Sequence, residues 1–361
     1  MRRTNLLHCQ PNGKGIKPQV IKKKSKLKQI VKCILPVKLQ IILMGIIKNI
    51  CADNKKNIQK QIQVNKVKHE VLGLLPTLEP IEDKKSPRYI FSLTSYGNRL
   101  ADTAPYAIIT LFKQNVKPDK IILWVAHEDK KNIPQILEKL TERGLEIRFC
   151  DDIKSYKKLI PSIENFPNDY IITADDDVYY HEHWFEQLVA EHKKNHKKII
   201  CHRAHGIKVD KNHNPMQYIK WHSCIEPNVY FAPEFESQEK SMRCHQLESV
   251  FPTGSAGVLY PPNCLHRDVV NKEVYMKLAP NADDIWFWAM ALINKEYFGE
   301  ESPYVVVKNS YLQTLSEIDP EQTKKNALWA YNSQGGNDKQ MKLVIKQYPQ
   351  INKVLKKIKP F

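Results

Sequence analysis

Three consecutive carboxylates, Asp175, Asp176 and Asp177, follow the strand-forming residues Tyr170–Thr173 in the stretch YIITADDDVYY. Like charges this close repel one another, and against a core they are costly unless a cation neutralises them. Hard divalent cations take oxygen ligands, and Mg²⁺ is commonly held by one or two carboxylates plus substrate phosphates. In open α/β sheets ligands bind beyond the carboxyl ends of strands, which is where these acids emerge. Two readings fit the triplet: a clamp for a metal and a diphosphate, or a solvated turn closing a strand, since Asp is a common turn residue. A second acidic pair, Asp283–Asp284, opens the apolar run DDIWFWAMAL, where a helix dipole favours negative charge. His181 and His183 follow the triplet as an HxH pair without further soft ligands, so the start of a surface helix is expected there rather than zinc.

The elements that would position these residues follow from hydrophobic patterning. RYIFSLTSYGNRL reads as a strand ending in the polar loop Thr94–Arg99, with a helix over about Pro105–Gln114. KIILWVA (120–126) is a second strand, Ile133–Arg143 a second helix and LEIRFC (145–150) a third strand. Ser155–Phe166, helical or turn-like, feeds the acid-bearing strand; a helix over Glu182–Lys194 and the strand IICHRA (199–204) come after it. Strands alternating with helices argue for an α/β fold with a mostly parallel central sheet and a nucleotide-binding core. Beyond residue 205 the alternation fades. TGSAGVLYPP (253–262) places two glycines before a short strand, and helices are expected over Asp268–Lys277 and Ala282–Asn294. In the latter, Ile285, Trp286, Trp288, Ala289 and Leu292 form an apolar stripe. YVVVK (304–308) reads as a late strand.

Charge is unevenly distributed along the 361 residues. Of the 56 lysines and arginines, 15 fall in residues 1–60 against one acid, while the rest of the chain holds 41 against 38. The body is nearly neutral, which argues against a nucleic-acid-binding domain. Residues 1–25 are expected to be a disordered basic arm. Residues 26–84 read as an amphipathic basic segment and linker, 85–340 as the catalytic domain, and 341–361 as a basic C-terminal helix or tail. The first amphipathic segment either lies on an anionic membrane surface or packs onto the body. The C-terminal stretch, with Ile351, Val354, Leu355 and Ile358 at helical spacing, is a second candidate membrane-surface element. The apolar run Leu39–Ile47 is too short to span a bilayer, which takes roughly 20 residues. Eight scattered cysteines without a C-x-x-C spacing, and no apparent secretory signal, suit a cytoplasmic protein, peripheral at most to the inner membrane face.

Taken in order, SLTSYGNRL, KPDKIILWVA, SYKKLIPSI, YIITADDDVYY, TGSAGVLYPP and NADDIWFWAM resemble a family of bacterial GT-A-fold glycosyltransferases over roughly residues 88–340. The Asp triplet and late acidic pair are also distantly similar to the fringe-like transferases. The resemblance implies transfer of a sugar from a nucleotide-sugar donor to a hydroxyl of a glycan or glycolipid, with inversion, in surface polysaccharide or lipooligosaccharide synthesis. It implies a divalent cation, Mn²⁺ or Mg²⁺, held by Asp175 and Asp177. Asp177 would be the direct ligand and Asp175 would lie on the donor ribose or sugar side. Asp176 points the other way along a strand and is assigned to the donor site without a defined role.

In the inverting members that the chain resembles, a late carboxylate is the general base, which selects Asp284, with Asp283 positioning the acceptor or exchanging roles with it. Thr94, Ser95, Tyr96 and Arg99 occupy the loop that seats the base and ribose, Tyr96 by stacking and Arg99 by reaching a phosphate; the alternative is a polar surface loop. One of Lys157 and Lys158 is expected at the donor diphosphate, the alternative being a solvated pair. Gly254, Ser255 and Gly257 would let backbone approach a sugar. The loop 332–340, with Asn337 and Asp338, either closes over the donor or is a plain polar turn. No histidine follows His266, so the C-terminal His that completes the metal site in many GT-A enzymes is missing. The rival readings are a metal-dependent nucleotidyl or phosphoryl transferase, weakened by the lack of a G-x-x-x-x-G-K-[ST] loop, and a non-catalytic glycan- or lipid-binding protein.

Overall fold

The computed structural model describes residues 57–82, 85–222, 249–307, 316–320 and 332–361, apart from the side chains of 255, 316 and 333. The basic arm and residues 26–56 lie outside the described residues. The chain divides into two units, 1–66 and 67–361. In the first, the described residues, 57–66, are helical. The second holds the α/β core.

A seven-stranded sheet runs through that core. Its strands are β1 (Tyr89–Thr94), β2 (Lys120–Ala126), β3 (Leu145–Cys150), β4 (Tyr170–Thr173), β6 (Ile199–Cys201), β9 (Val258–Tyr260) and β10 (Tyr304–Val306), in the spatial order β10-β6-β9-β4-β1-β2-β3. The remaining strands, β5 (Val178–Tyr179), β7 (Ala204–Gly206), β8 (Val250–Pro252) and β11 (Ser316–Glu317), form two separate ribbons, β5 with β11 and β7 with β8. In the main sheet all pairs are parallel except those made by β9, which runs antiparallel to β4 and β6. The expected strand 199–204 therefore ends at Cys201, and the chain resumes at Ala204 in a different ribbon.

Alternation along the strands sorts side chains onto the two faces. Ile90, Ile122 and Ile171 enter one core, and Phe91, Ile121, Leu123 and Ile172 enter the other. Because both faces are covered, β2 reads as an unbroken apolar run and all seven of its residues are buried. Helices Ala104–Phe112 (α1) and Trp184–His192 (α2) cover the second face. The first is covered by Tyr156–Ile160, by the helix Asp283–Ile293 (α3) and by the helices Asn337–Gln347 (α4) and Ile351–Leu355 (α5). In α3 every residue from Ile285 to Ile293 is buried, not a stripe of them. A helix apolar on all sides belongs inside the core.

Ile351, Val354, Leu355 and Ile358 correct one expectation. Their helical spacing suggests a membrane-surface face, yet all four are buried in the body's own core, while Lys353, Lys356, Lys357 and Lys359 are exposed.

Gly257 has φ +96°, and a Cβ there would lie 2.9 Å from Cε2 of the buried Trp184 ring. Its glycine is required by packing as well as by backbone shape. Gly257→Ala is expected to destabilise the fold by about 1–3 kcal/mol, the usual cost of overpacking, read as a lowered midpoint in chemical denaturation.

Candidate active site

The reversed direction of β9 assembles the site. Because β9 is antiparallel to β4, Thr173 lies opposite Val258, and the turn Gly254–Gly257 reaches the same sheet edge as Asp175–Asp177. The parallel neighbour β1 also ends there, with Ser92 opposite Thr173. Helix α3 begins against this edge, where the Gly254 amide donates to Asp284 Oδ1 at 3.0 Å. Residues separated by more than a hundred positions thus share one rim.

Five carboxylates on this rim, Asp175, Asp176, Asp177, Asp283 and Asp284, meet two cations among the described residues, Arg99 and Lys158. Arg99 grips Asp176 through Nε at 3.1 and 3.0 Å and through Nη2, and Nη2 also lies 2.9 Å from Asp177 Oδ2. Lys158 Nζ stands 3.6 Å from Asp175 Oδ1 and 3.2 Å from Asp283 Oδ2. The latter contact is within ion-pair reach, and among the described residues this buried oxygen has no other polar partner. A Cβ on Gly254 would sit 2.6 Å from Lys158 Nζ and 3.0 Å from Asp284 Oδ1, so the turn must be bare for both groups to meet it.

Burial and the excess of negative charge raise several of these carboxyls. Burial pushes Asp284 up to about 7, helped by Asp283 and opposed by Lys158. Asp175 rises to about 6 through burial, opposed by Lys158 and reinforced by Asp177 and Asp176. Asp177 is also raised by burial, against the pull of Arg99. Burial works against the Lys158 ammonium, but Asp283, Asp175 and Asp284 outweigh it and hold the group charged well above its usual range.

The other sequence-predicted residues fall in different places. Thr94 Oγ1 donates to the Trp124 carbonyl at 2.8 Å, anchoring the end of β1 to β2. Ser95 is fully buried, with its hydroxyl lacking a hydrogen-bond partner. Tyr96 is half exposed, with the Arg99 guanidinium 5.6 Å from its ring centroid. Arg99, expected at a phosphate, is turned onto Asp176 and Asp177; Asp176 is almost wholly buried beneath it. Lys157 is drawn away to Asp152, leaving Lys158 as the lysine on the rim. Gly257 answers to Trp184. Asp338 Oδ1 accepts from the Tyr218 amide at 2.7 Å, and Asn337 is buried, so neither stands in an open lid. His183 bonds Glu186 at 2.6 Å and Asn115 at 3.0 Å at the start of α2, in keeping with a surface helix start.

Several residues at the rim carry no sequence signal. The Tyr180 hydroxyl accepts from the Asp175 amide at 2.6 Å, tying the triplet to the following strand. Ile318 donates its amide to the Asp177 carbonyl at 2.9 Å, and Glu317, beside it in β11, adds to the negative field at Asp177. A cavity of about 580 Å³ lies elsewhere, between β3 and the segments 160–165 and 270–275, lined by Trp124, Arg148, Cys150, Glu164, Lys272 and Tyr275. None of the rim acids lines it.

Residues 95–274 match the family described as glycosyl transferase family 2. With the mostly parallel seven-stranded sheet, this defines a GT-A-fold glycosyltransferase domain, the class the acid-bearing strand pointed to. Among solved structures, the chain is similar to a 1–349 fragment of S. aureus TarS in complex with UDP, at 13% identity over 57% of this chain and a TM-score of 0.33. The match spans 55% of that TarS fragment, about half its length. It is also similar to a mannosyltransferase from Pyrobaculum calidifontis in complex with GDP-Man and Mn²⁺, at 9% identity over 82% of this chain and 79% of that one, with a TM-score of 0.43. Comparison with curated proteins found no match.

Arg99→Met would strand Asp176 as a buried, unpaired charge. A loss of about 3–5 kcal/mol is expected, as for other broken buried pairs. Adding Asp176→Asn should recover a large part of it in a double-mutant denaturation cycle; additive losses would show that the two side chains are not coupled.

Proposed function

We propose that the chain transfers a sugar from a nucleoside-diphosphate donor to a hydroxyl of a glycan or glycolipid acceptor, with inversion at C1. One observation carries this reading. At a single sheet edge, Lys158 stands 3.6 Å from Asp175 of the strand-end triplet and 3.2 Å from Asp283 of the late pair, next to Asp284, which burial raises to about 7. A general base is most effective with a pKa near the working pH. Asp284 holds the Gly254 amide on Oδ1, leaving Oδ2 for the acceptor proton. As the acceptor oxygen bonds to C1, the C1–O bond to the diphosphate breaks and its electron pair leaves with the nucleoside diphosphate. The transition state is oxocarbenium-like, as in glycoside hydrolysis. Lys158 supplies positive charge on the side where the diphosphate would sit.

The donor set fits a divalent cation. Asp175 and Asp177 would hold it beside the donor phosphates; among the described residues no group of three or more His, Cys, Asp or Glu side chains is arranged around one point. Burial and neighbouring acids raise Asp175, which favours a cation there. When bound, the ion neutralises charge on the leaving phosphates.

The basic residues of 1–60 support peripheral attachment to an anionic membrane at the cytoplasmic face, close to a lipid-linked acceptor. Among the described residues no helix is long and apolar enough to cross a membrane. Removing residues 1–60 should abolish salt-sensitive binding to anionic vesicles; binding that survives the deletion would rule this role out.

Turnover should rise with pH through about 7 and level above it, because the base works only when deprotonated. Asp284→Asn should lower nucleoside diphosphate release by about 10²–10⁴-fold. The same variant should unfold no more easily at pH 8. A carboxyl whose folded pKa is raised to about 7 from 3.8 favours folding most below 3.8 and loses that contribution as pH rises through 7. In thermal-shift titrations with UDP-GlcNAc or GDP-mannose, the increment that Mn²⁺ adds should vanish in Asp177→Asn. An Asp284→Asn enzyme with wild-type turnover would refute the assignment.

A further inference from the structure

Helix α3, which carries the acid pair, lacks a side-chain cap. Ala282 precedes Asp283 at φ −141° and contributes no capping bond. The residue before it is held instead. Asn281 donates its amide to Gln340 Oε1 at 2.9 Å, its carbonyl accepts from Asn332 Nδ2 at 2.9 Å, and its side-chain Oδ1 accepts from Lys154 Nζ at 2.7 Å. Three polar groups of one residue are thus taken by three distant segments. Lys154 has φ +57°, a left-handed conformation that costs a non-glycine residue energy.

Gln340 is itself fixed. It lies in the first turn of α4, is buried, and donates Nε2 to the Gly336 carbonyl at 3.0 Å, which settles which way its amide faces. On the other side of the entry, Tyr156 donates its hydroxyl to the Ala279 carbonyl at 2.7 Å. The loop 279–282 is therefore suspended from groups that never reach the rim, two residues upstream of Asp283.

We propose that Gln340 and Asn332 are positioning residues for the acid pair, holding Asp283 and Asp284 at the sheet edge through the backbone of Asn281. The inference rests on the reading of Asp284 as general base. A small displacement of that carboxylate is enough to cost turnover, since misplacement by about 1 Å can lower a rate 10²-fold. Donor affinity depends on the β4 acids and should be spared.

The test uses the full chain and follows nucleoside diphosphate release from UDP-GlcNAc and GDP-mannose across pH 5.5–9, beside thermal melts. Gln340→Met, close in volume but without either hydrogen bond, is expected to lower kcat by about 10–100-fold, leave the donor KM within about twofold, and move the rising limb of the pH profile from its wild-type midpoint. Gln340→Glu keeps the oxygen that Asn281 needs but, when ionised, sets its second oxygen against the Gly336 carbonyl, so it should recover only part of kcat. Asn332→Ala should shift kcat in the same direction as Gln340→Met, and it keeps the test open if the methionine variant does not fold. The inference is overturned if kcat and the pH midpoint stay at wild type in folded variants, or if kcat falls only in step with the folded fraction. Asp284→Asn assayed in parallel separates the two ideas. An inactive Asp284→Asn beside an unaffected Gln340→Met defeats positioning alone, whereas an active Asp284→Asn defeats the base assignment and the inference with it.

Discussion

The crowding of five carboxylates at one sheet edge, met among the described residues by Arg99 and Lys158, is the constraint around which the structure is arranged. Buried like charges are tolerable only when each has a partner or takes up a proton. Arg99 commits its fork to Asp176 and Asp177, which removes one acid from the chemistry and steadies a second. Lys158 lies between Asp175 and Asp283 and so links the strand-end triplet to the late acid pair. The remaining excess appears as raised carboxyls at Asp175 and Asp284. A stability-optimised protein would not keep such a group; a site that must accept cationic or proton-bearing partners needs it.

The fold delivers these charges by ordinary means. Both faces of the sheet are covered, so the strands are fixed in register by apolar packing, and the acids emerge only where β4 leaves the sheet. The one strand of the main sheet that runs against its neighbours brings the Gly254 turn to the same end. Rigid elements thus hold both acidic motifs, the arrangement from which preorganised electrostatic sites are built.

Much of this was legible in the sequence because it rests on local pattern. Continuous apolar runs marked the buried strands, and the triplet at the end of Tyr170–Thr173 announced a strand edge. The late acidic pair and the TGSAG turn were visible as motifs, although their meeting depends on the direction of β9, which no local pattern encodes. Lys157 and Lys158 are indistinguishable in sequence; within a short 3₁₀ turn, Lys154–Lys158, neighbouring side chains leave in different directions, and only one reaches the rim. The pairing of Arg99 with the buried Asp176 joins residues 77 positions apart, which no local pattern encodes. The lysine-rich C-terminus misled for a related reason: an amphipathic helix presents the same spacing whether its apolar side meets lipid or the protein's own core.

The 59-residue separation between Asn281 and Gln340 also bears on synthesis. Ribosomes release chains from the amino end, and domains consolidate as their parts become available. Every strand of the main sheet and both acidic motifs precede in the chain the helix that steadies Asn281, so they are synthesised before it. The acid pair is thus made before the backbone contact that holds its entry loop can form.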